Sequence, residues 1–376
     1  AGEVWMNTQF SKKDTNIVKG VAIIAMLFHH CYVTNINFKA HGVSFAPFSK
    51  GTVVTLSLWA KVCVGIFVFL SAYGITISLK KLYDQNKYER QNISWLTIRR
   101  VWKILSGFWP IYILAIVGCK VWAPESFAVY KQGMIRIIYM LIDFSGLAHI
   151  FGTPTLLGTW WYLGLAFMEI MLLPFLYYMY RKCGAFTTIA LSYLLPMALS
   201  LPMSSSVVHY LPAMTLGIWF AQEDLFPKAA DWRIPHTGLM ITRVAEFCVL
   251  AVFILGTVWL KTSKFGKVHP NVTDSITPLA VILFTYLFLA SIPILRDMLC
   301  ILGKYSMNIF LFHNFIRSRW FEDFSYSFRF WWLIVIVLVI DCLLFSVVIE
   351  FLKEVLRYNY LTIKIEKKLH GMISNE

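Results

Sequence analysis

The sequence predicts an all-α, polytopic integral membrane helical bundle. Hydrophobic residues make up 58% of the 376 residues and charged residues 14%, against roughly 45–50% and about 25% in soluble globular domains. A soluble core cannot bury this much apolar surface, so lipid must cover part of it. The apolar residues also form successive runs of about 20 residues, the length that a helix needs to cross a bilayer.

About ten transmembrane helices are predicted, separated by short polar turns. No internal repeat or linker interrupts the sequence. We therefore expect one integral membrane domain over 1–376, with a membrane core at 15–352 and a basic cytoplasmic tail at 353–376. The predicted spans are 16–35, 60–80, 104–123, 159–180, 184–202, 206–222, 241–260, 275–295, 300–317 and 330–352.

The stretch 132–150 is apolar but contains ionisable residues. Arg136, Asp143 and His149 lie within it, and each is costly to place in hydrocarbon. We expect a re-entrant or interfacial segment here rather than an eleventh span.

Basic residues set the predicted orientation. The net charge is +14, from 34 Lys and Arg against 20 Asp and Glu. With the N-terminus inside, the inner segments carry more Lys and Arg than the outer ones, and loop 80–103 contributes most. The positive-inside rule then predicts that both termini are cytoplasmic. The expected location is the cytoplasmic (inner) cell membrane, as a multi-pass protein. These cations face anionic lipid, so the charge does not predict a nucleic-acid partner.

The first predicted span contains two basic residues on one face. Lys19 and His30 are 11 positions apart, which at ~100° per residue leaves only about 20° between them, with a rise of about 16 Å. His29 points about 100° away from His30. His30 has two interpretations that the span alone leaves open: a neutral ring that bonds to a neighbouring helix, or a general base or acyl carrier.

Two further ionisable residues lie inside predicted spans. His313 is near the outer end of span 300–317, and Glu169 is in span 159–180. A charge at the centre of a span costs about 2.5–3.5 kcal/mol on insertion scales, so such residues are functional candidates. We group Glu169 and His313 with His30 as candidate catalytic residues. For Glu169 the alternative is that it only satisfies other polar groups of the bundle.

A basic cluster lies where loop 80–103 enters the third helix. Arg99, Arg100 and Lys103 occur in SWLTIRRVWKIL, and Arg100 and Lys103 share a helical face because they are three residues apart. One interpretation is ordinary anchoring at the inner interface. The other is a cytoplasmic phosphate clamp, to which a planar guanidinium is suited because it can hold a phosphate through two hydrogen bonds.

Five stretches, in order, resemble one known family. The first pairs the basic Lys19 with His30 at the far end of the first span. The second is VGIFVFLSAYGI, in which Ser71 is followed by Ala72. The third is IRRVWKIL, which resembles an Arg-x-x-Arg motif with Lys103 in the last place. The fourth and fifth are TWWYL at 159–163 and LGKYSMNIFLFHN at 302–314.

The family that these stretches resemble is the membrane-bound acyltransferase family 3, which contains bacterial polysaccharide O-acyltransferases. The resemblance extends over nearly the whole chain. The sequence departs from the family pattern at Lys19 and Lys103, where the family has Arg, and at Ala72, where it has Gly. The two Lys residues keep the charge but lose the bidentate geometry of a guanidinium.

The resemblance implies an enzyme, an acyl-CoA-dependent O-acetyltransferase. It would move an acyl group, acetyl being expected, from cytoplasmic acyl-CoA to a hydroxyl of a cell-surface or lipid-linked glycan such as an exopolysaccharide. It implies that His30 is catalytic and that Arg100 and Lys103 serve the donor. No metal and no bound cofactor are expected, since acetyl-CoA is a substrate. The residues that we assign to acyl-CoA binding are Lys19, Arg99, Arg100, Lys103, Ser71, Trp161, Tyr162 and Asn308.

Two alternatives stay open at this point. His30 can act as the general base in direct transfer, or it can carry the acyl group as an acyl-imidazole. The rival function is a membrane transporter, either a glycan exporter or a proton-coupled carrier, since buried His and Glu residues also suit transport. A carrier would not need a cytoplasmic CoA site.

Overall fold

The computed structural model describes residues 10–34, 36–201 and 206–374. Within these ranges the regular secondary structure is helical, apart from one isolated β-bridge between Ser44 and Phe330. The all-α fold class predicted from the sequence is therefore confirmed for the described part of the chain.

The helices follow one another with short connections. In chain order they are α1 (Lys12–Tyr32), α2 (Ile36–Ala40), α3 (Lys50–Trp59), α4 (Val62–Asp84), α5 (Arg90–Trp122), α6 (Met134–Phe144), α7 (Trp161–Ala198), α8 (Ser206–Gln222), α9 (Leu225–Asp231), α10 (Leu239–Thr262), α11 (Lys264–Val268), α12 (Pro270–Leu287), α13 (Pro293–Lys304), α14 (Ser306–Phe315), α15 (Glu322–Tyr326), α16 (Trp331–Val355) and α17 (Tyr358–Ser374). Short 3₁₀ turns cover Pro124–Tyr130, Gly158–Trp160 and Leu289–Ser291, and Ile316–Trp320 is π-helical.

The chain divides into two compact units. The first unit comprises Ala1–Ala22, Val62–Lys87 and Leu172–Lys304, and the second comprises Ile23–Lys61, Tyr88–Met171 and Tyr305–Glu376. The first unit therefore contains α4 and α8 to α13, and the second contains α2, α3, α5, α6 and α14 to α17. Helices α1 and α7 each contribute residues to both units.

Six helical stretches of the described chain are long and apolar enough to cross a membrane: Lys50–Asp84, Arg90–Trp122, Gly158–Ala198, Leu239–Thr262, Pro270–Ser291 and Trp331–Val355. The protein is thus a multi-pass membrane protein. These stretches contain the predicted spans 60–80, 159–180 and 241–260, and they overlap most of 104–123, 184–202, 275–295 and 330–352. Position 202, the predicted end of one span, lies outside the described residues. The boundary predicted between 159–180 and 184–202 coincides with Gly184, whose φ of 79° and ψ of 172° interrupt α7.

The other predicted spans correspond to shorter or more polar helices. Predicted span 16–35 is α1, 21 residues long, whose Lys19, His29 and His30 lower its apolar character. Predicted span 206–222 is α8, with 17 residues. Predicted span 300–317 is divided between α13 and α14 at Tyr305. The multi-pass architecture is confirmed, and the count of ten spans stays a prediction.

The apolar stretch 132–150 contains a helix too short to span a bilayer. Helix α6 has 11 residues, about 16 Å at 1.5 Å per residue, against a hydrocarbon layer of about 30 Å. Its Met134, Ile137 and Leu141 are exposed, while Asp143 is buried. This amphipathic arrangement suits an interfacial or re-entrant position.

Small residues bring the helices of the first unit close together. A methyl group at Gly65 of α4 would lie 2.4 Å from Cγ of Pro278 and 2.5 Å from the backbone oxygen of Asp274, both on α12. A methyl group at Gly217 of α8 would lie 2.8 Å from Cβ of Ala72 on α4. Such close approach is how helices gain packing energy where water supplies no hydrophobic driving force between them.

The close contact at Gly65 gives a stability prediction. We expect Gly65→Ala to lower the melting temperature in detergent, because backbone of α12 must move, and overpacking of this kind costs about 1–3 kcal/mol. The matched control is Gly256→Ala on α10, where an added methyl group meets no atom within 4 Å. Thermal unfolding of both variants, followed by intrinsic fluorescence, checks the expectation. Equal melting temperatures would show that α4 and α12 are not packed in this way.

Candidate functional site

Two histidines predicted to be catalytic lie side by side in the second unit. His30 is near the end of α1 and His313 is on α14. Their ring centroids are 4.9 Å apart, and the ring planes are tilted by 37°. His313 is fully buried, and His30 is half-buried. The fold thus brings together two residues that lie at opposite ends of the sequence.

The His313 ring is held in one tautomer by its own helix. Its Nδ1 lies 2.8 Å from the carbonyl oxygen of Phe310 and 3.2 Å from that of Ile309. A carbonyl oxygen only accepts, so the proton is on Nδ1 and the lone pair of the neutral ring is on Nε2. Nε2 is buried and has no hydrogen-bond partner in the part of the chain that the structure describes. This atom is available to accept a proton from a substrate hydroxyl.

His29 is fixed by a different neighbour. Its Nδ1 donates to the carbonyl oxygen of Ser57 on α3 at 2.7 Å, and its ring centroid lies 5.0 Å from that of His30, with an angle of 68° between the planes. The backbone contact defines the His29 tautomer in the same way as for His313. His30 therefore lies between two imidazoles whose Nδ1–H groups are already engaged.

A buried arginine beside these rings was missed by the sequence analysis. Arg317, on the π-helical turn, is 8% exposed. Its Nε donates to Oδ1 of Asn314 at 2.9 Å, and one terminal nitrogen donates to the hydroxyl of Tyr326 at 3.0 Å. Its charge acts on both His30 and His313. Its spacing of four residues from His313, on the same helical face, was the available signal.

Tyr326 connects this arginine back to α1. Its hydroxyl accepts from Arg317 and donates to the carbonyl oxygen of Cys31 at 3.2 Å. Cys31 directly follows His30, so the hydrogen bonds fix the backbone next to the half-buried histidine. Together, His30 and His313 can supply two imidazoles for proton transfer, and Arg317 can supply one fixed positive charge for a developing oxyanion.

Glu169 interacts with the predicted donor cluster. It lies on α7 and is fully buried, and Arg100 on α5 is half-buried. The two side chains interact electrostatically. The structure therefore associates Glu169 with Arg100, a residue assigned to the donor, whereas the sequence had grouped it with the histidines.

The other cations of the cluster are at the protein surface. Arg99 and Lys103 are exposed. Nε of Arg99 donates to Oε1 of Glu366 on α17 at 2.6 Å. The indole nitrogen of Trp102 donates to the carbonyl oxygen of Thr362 on the same helix at 3.3 Å. Helix α17, predicted only as a basic tail, thus packs against the start of α5.

Asn308 belongs to a separate polar cluster on α14 and α16. Its amide nitrogen donates to Oε1 of Glu350 at 2.8 Å. Nζ of Lys353 donates to the same Glu350 oxygen at 2.7 Å and lies 3.5 Å from Oδ1 of Asn308. Neither Glu350 nor Lys353 was predicted to be a site residue. A Lys that is three residues after a Glu near a helix end was the signal.

The remaining predicted residues divide between the units. In the second unit, the ring of Tyr162 packs against Phe310, with centroids 5.3 Å apart, and Trp161 contacts His149, with centroids 6.1 Å apart. Lys19 on α1 and Ser71 on α4 are half-buried residues of the first unit. The second unit alone therefore contains the histidines, Arg317, Glu169 and the basic cluster.

Removing the Arg317 side chain tests the buried group. We expect Arg317→Gln to lower the free energy of unfolding by about 1.5–3 kcal/mol, the range for hydrogen bonds made by charged groups, because Asn314 and Tyr326 lose their donor. The matched control is Arg319→Gln, since Arg319 is exposed and its hydrogen bond to Ser126 is 3.4 Å long. It should change the free energy by no more than about 0.5 kcal/mol. Denaturant unfolding in mild detergent measures both, and equal losses would contradict the assigned contacts.

Comparison with known proteins gives one match. The family model described as an acyltransferase domain matches residues 13–351. No curated protein and no solved structure matches the chain. The matched range contains both histidines, Arg317, Glu169 and the basic cluster of α5. Because the match covers most of the 376 residues, the chain belongs to acyltransferase family 3, and it is a multi-pass membrane protein with acyltransferase activity.

Proposed function

We propose that the protein transfers an acetyl group from cytoplasmic acetyl-CoA to a hydroxyl of a cell-surface or lipid-linked glycan at the inner membrane. The observation that supports this best is the contact between His30 and His313, with centroids 4.9 Å apart, beside the buried Arg317. An acyl transfer to a hydroxyl needs a base for the hydroxyl proton and a positive group for the oxyanion, and these residues supply both.

In the direct route, a histidine takes the proton of the sugar hydroxyl while its oxygen attacks the thioester carbonyl. The guanidinium of Arg317 stabilises the negative charge on the carbonyl oxygen of the tetrahedral intermediate. The C–S bond then breaks, and the CoA thiolate leaves and takes up the proton. Nε2 of His313 is suited to the base role because its Nδ1 proton is committed to Phe310. His30 remains the predicted base or relay, and the ring contact lets the two imidazoles act together.

In the relay route, a nitrogen of His30 attacks the thioester, the C–S bond breaks, and the ring proton of His30 passes to the departing thiolate, which leaves an acyl-imidazole and releases CoA. The sugar hydroxyl then attacks this carbonyl while His313 takes its proton. The C–N bond breaks, and His313 returns a proton to the departing nitrogen, which restores His30. This route carries the acyl group outward without moving CoA. Radiolabel that stays on the protein after single turnover without acceptor distinguishes the relay from direct transfer.

The donor is proposed to bind at the inner end of α5. Arg100 and Lys103 lie on one helical face, and Arg99 is adjacent. Glu169 interacts with Arg100, so it would position that guanidinium for a CoA phosphate. Tyr162 lies beside Phe310, whose carbonyl holds His313. Asn308, also in the second unit, is a further proposed donor contact.

The distances along α1 suit reactants that approach from opposite sides. His30 follows Lys19 by 11 residues on one continuous helix, a rise of about 16 Å, or half of a ~30 Å hydrocarbon layer. A phosphate at the inner face and a glycan at the outer face would both reach this depth only through a protein-lined path. With both termini cytoplasmic, the donor cluster would lie at the cytoplasmic face of the membrane, on the side where acetyl-CoA is supplied.

A transfer assay in sealed vesicles of known orientation, called the sided assay below, tests the function. In sealed inside-out vesicles, we expect external acetyl-CoA to acetylate a luminal glycan acceptor without release of CoA into the lumen. In right-side-out vesicles, acetyl-CoA added outside should be inert. We expect His30→Ala to lower transfer by about 10²–10⁴-fold, the usual contribution of a positioned base.

His29→Ala is the matched control for His30. It removes the neighbouring imidazole, which is bound to Ser57, and we expect it to lower transfer much less. A His30→Ala variant that keeps transfer within about tenfold of wild type would exclude the assigned role. Transfer with both substrates on the extracytoplasmic side would overturn the orientation and the donor site together.

The donor cluster gives a separate kinetic prediction. We expect Arg100→Ala and Lys103→Ala to raise KM for acetyl-CoA roughly 10–100-fold each, since charge-assisted phosphate contacts contribute about 1.5–3 kcal/mol. KM for the acceptor should change little. Arg90→Ala is the matched control, because Arg90 is an exposed cation at the start of the same helix. Equal changes for donor and acceptor, or none, would reduce the cluster to an interfacial anchor.

A further inference from the structure

A cavity of about 250 Å³ lies in the second unit between α6, the loop after it and the first turn of α7. Its walls include Asp143, His149, Thr153, Gly158, Trp160 and Trp161. His149 and Gly158 are exposed, so the cavity reaches the protein surface, whereas Asp143 and Trp160 are buried and form its base.

Hydrogen bonds fix the buried end of the cavity. The Tyr130 hydroxyl donates to Oδ2 of Asp143, and the backbone amide of Leu156 donates to the same oxygen at 2.8 Å. Burial raises the pKa of the Asp143 carboxyl, and these hydrogen bonds oppose that shift. Asp143 therefore fixes the loop after α6, and the groups that can meet a ligand are His149, the two indoles and the threonine hydroxyls.

The cavity is connected to the helix that carries His313. The indole nitrogen of Trp160 donates to the carbonyl oxygen of Leu311 at 3.0 Å, two residues before His313. The amide nitrogen of Asn314, the residue after His313, lies 3.4 Å from the hydroxyl of Thr159. The short turn Gly158–Trp160 thus forms one wall of the cavity and is bonded on its other side to α14 around His313.

The composition of the walls favours an uncharged, hydroxylated ring. The indole and imidazole rings offer flat apolar faces with polar edges, and ring CH faces can pack on them while hydroxyls bond to His149 and Thr153. Among the described residues that line the cavity there is no Lys or Arg, so it does not suit the phosphates of CoA. Its volume is also below the roughly 300–1,000 Å³ of pockets for drug-sized ligands.

We propose that this cavity binds one sugar ring of the acceptor glycan, so that the glycan is held next to the turn that packs on α14 around His313. The proposal rests on the acceptor being a glycan. It places Trp161 on the acceptor side of the reaction, whereas the sequence analysis grouped Trp161 with the acyl-CoA contacts. The test below separates these two assignments.

Gly158 allows the cavity to be filled without disturbing the fold. A side chain built there would meet no atom within 4 Å at its Cβ. We expect Gly158→Phe to leave the melting temperature unchanged while blocking the sugar. Gly256→Phe on α10 is the matched control, because its Cβ also meets no atom within 4 Å and it belongs to the first unit. Trp161→Leu and His149→Ala remove the ligand-facing rings without filling the space.

The experiment measures binding to the purified full-length chain in a detergent without a sugar headgroup. The probes are the methyl glycosides of glucose, galactose, mannose, rhamnose and N-acetylglucosamine, and binding is followed by tryptophan fluorescence. We expect saturable binding of at least one glycoside, weakened about tenfold or more by Gly158→Phe and by Trp161→Leu. Gly256→Phe should bind like wild type, and CoA binding, measured by calorimetry, should be unchanged in every variant.

Two results would overturn the cavity assignment: no glycoside binds, or Gly158→Phe binds as wild type does. Loss of CoA binding in Trp161→Leu would return that residue to the donor site. The proposed function fails separately, because glycoside binding without transfer in the sided assay would keep the cavity and exclude the reaction. A further arm offers the preferred sugar on a polyprenyl diphosphate, and tighter binding of that form identifies a lipid-linked acceptor rather than a polymer.

Discussion

A polar group inside an apolar helical bundle must find its partner within the protein, because hydrocarbon offers none and an unpaired group costs several kcal/mol. This constraint accounts for how the second unit is organised. The Nδ1–H groups of His29 and His313 are satisfied by backbone carbonyls rather than by side chains. Backbone carbonyls do not titrate, so each ring is oriented in one tautomer.

The same constraint explains the π-helical turn after α14. A wider helical turn frees backbone groups and changes the direction of the side chains that follow. Here it carries Arg317, whose guanidinium bonds to Asn314 and to Tyr326. A buried cation is stable only when its donors are engaged, and Tyr326 extends the contact to the carbonyl of Cys31 beside His30. One buried charge therefore links α14, α15 and α1 at the point where the two histidines meet.

Much of the architecture could be predicted from composition and hydrophobic run length, because crossing a bilayer requires both. His30 and His313 could be singled out because imidazoles are rare in apolar runs. Their contact could not, since it depends on how α1 and α14 pack. Arg317 was missed because a basic residue near a helix end is equally explained as an anchor, and only its burial shows otherwise. The division of span 300–317 at Tyr305 was missed, although Lys304, Tyr305 and Ser306 are consecutive polar residues at that point.

The electrostatic interaction of Glu169 with Arg100 bears on how a cation is accommodated in such a bundle. A half-buried guanidinium without a nearby counter-charge is costly to remove from water. The negative charge of the buried Glu169 side chain offsets part of that cost. Arg99, which is exposed, is ion-paired instead with Glu366 of α17, where solvent screens the pair and it contributes little stability. The two neighbouring arginines thus differ in their surroundings: Arg99 pairs with the C-terminal helix at the protein surface, and Arg100 is half-buried and interacts with Glu169.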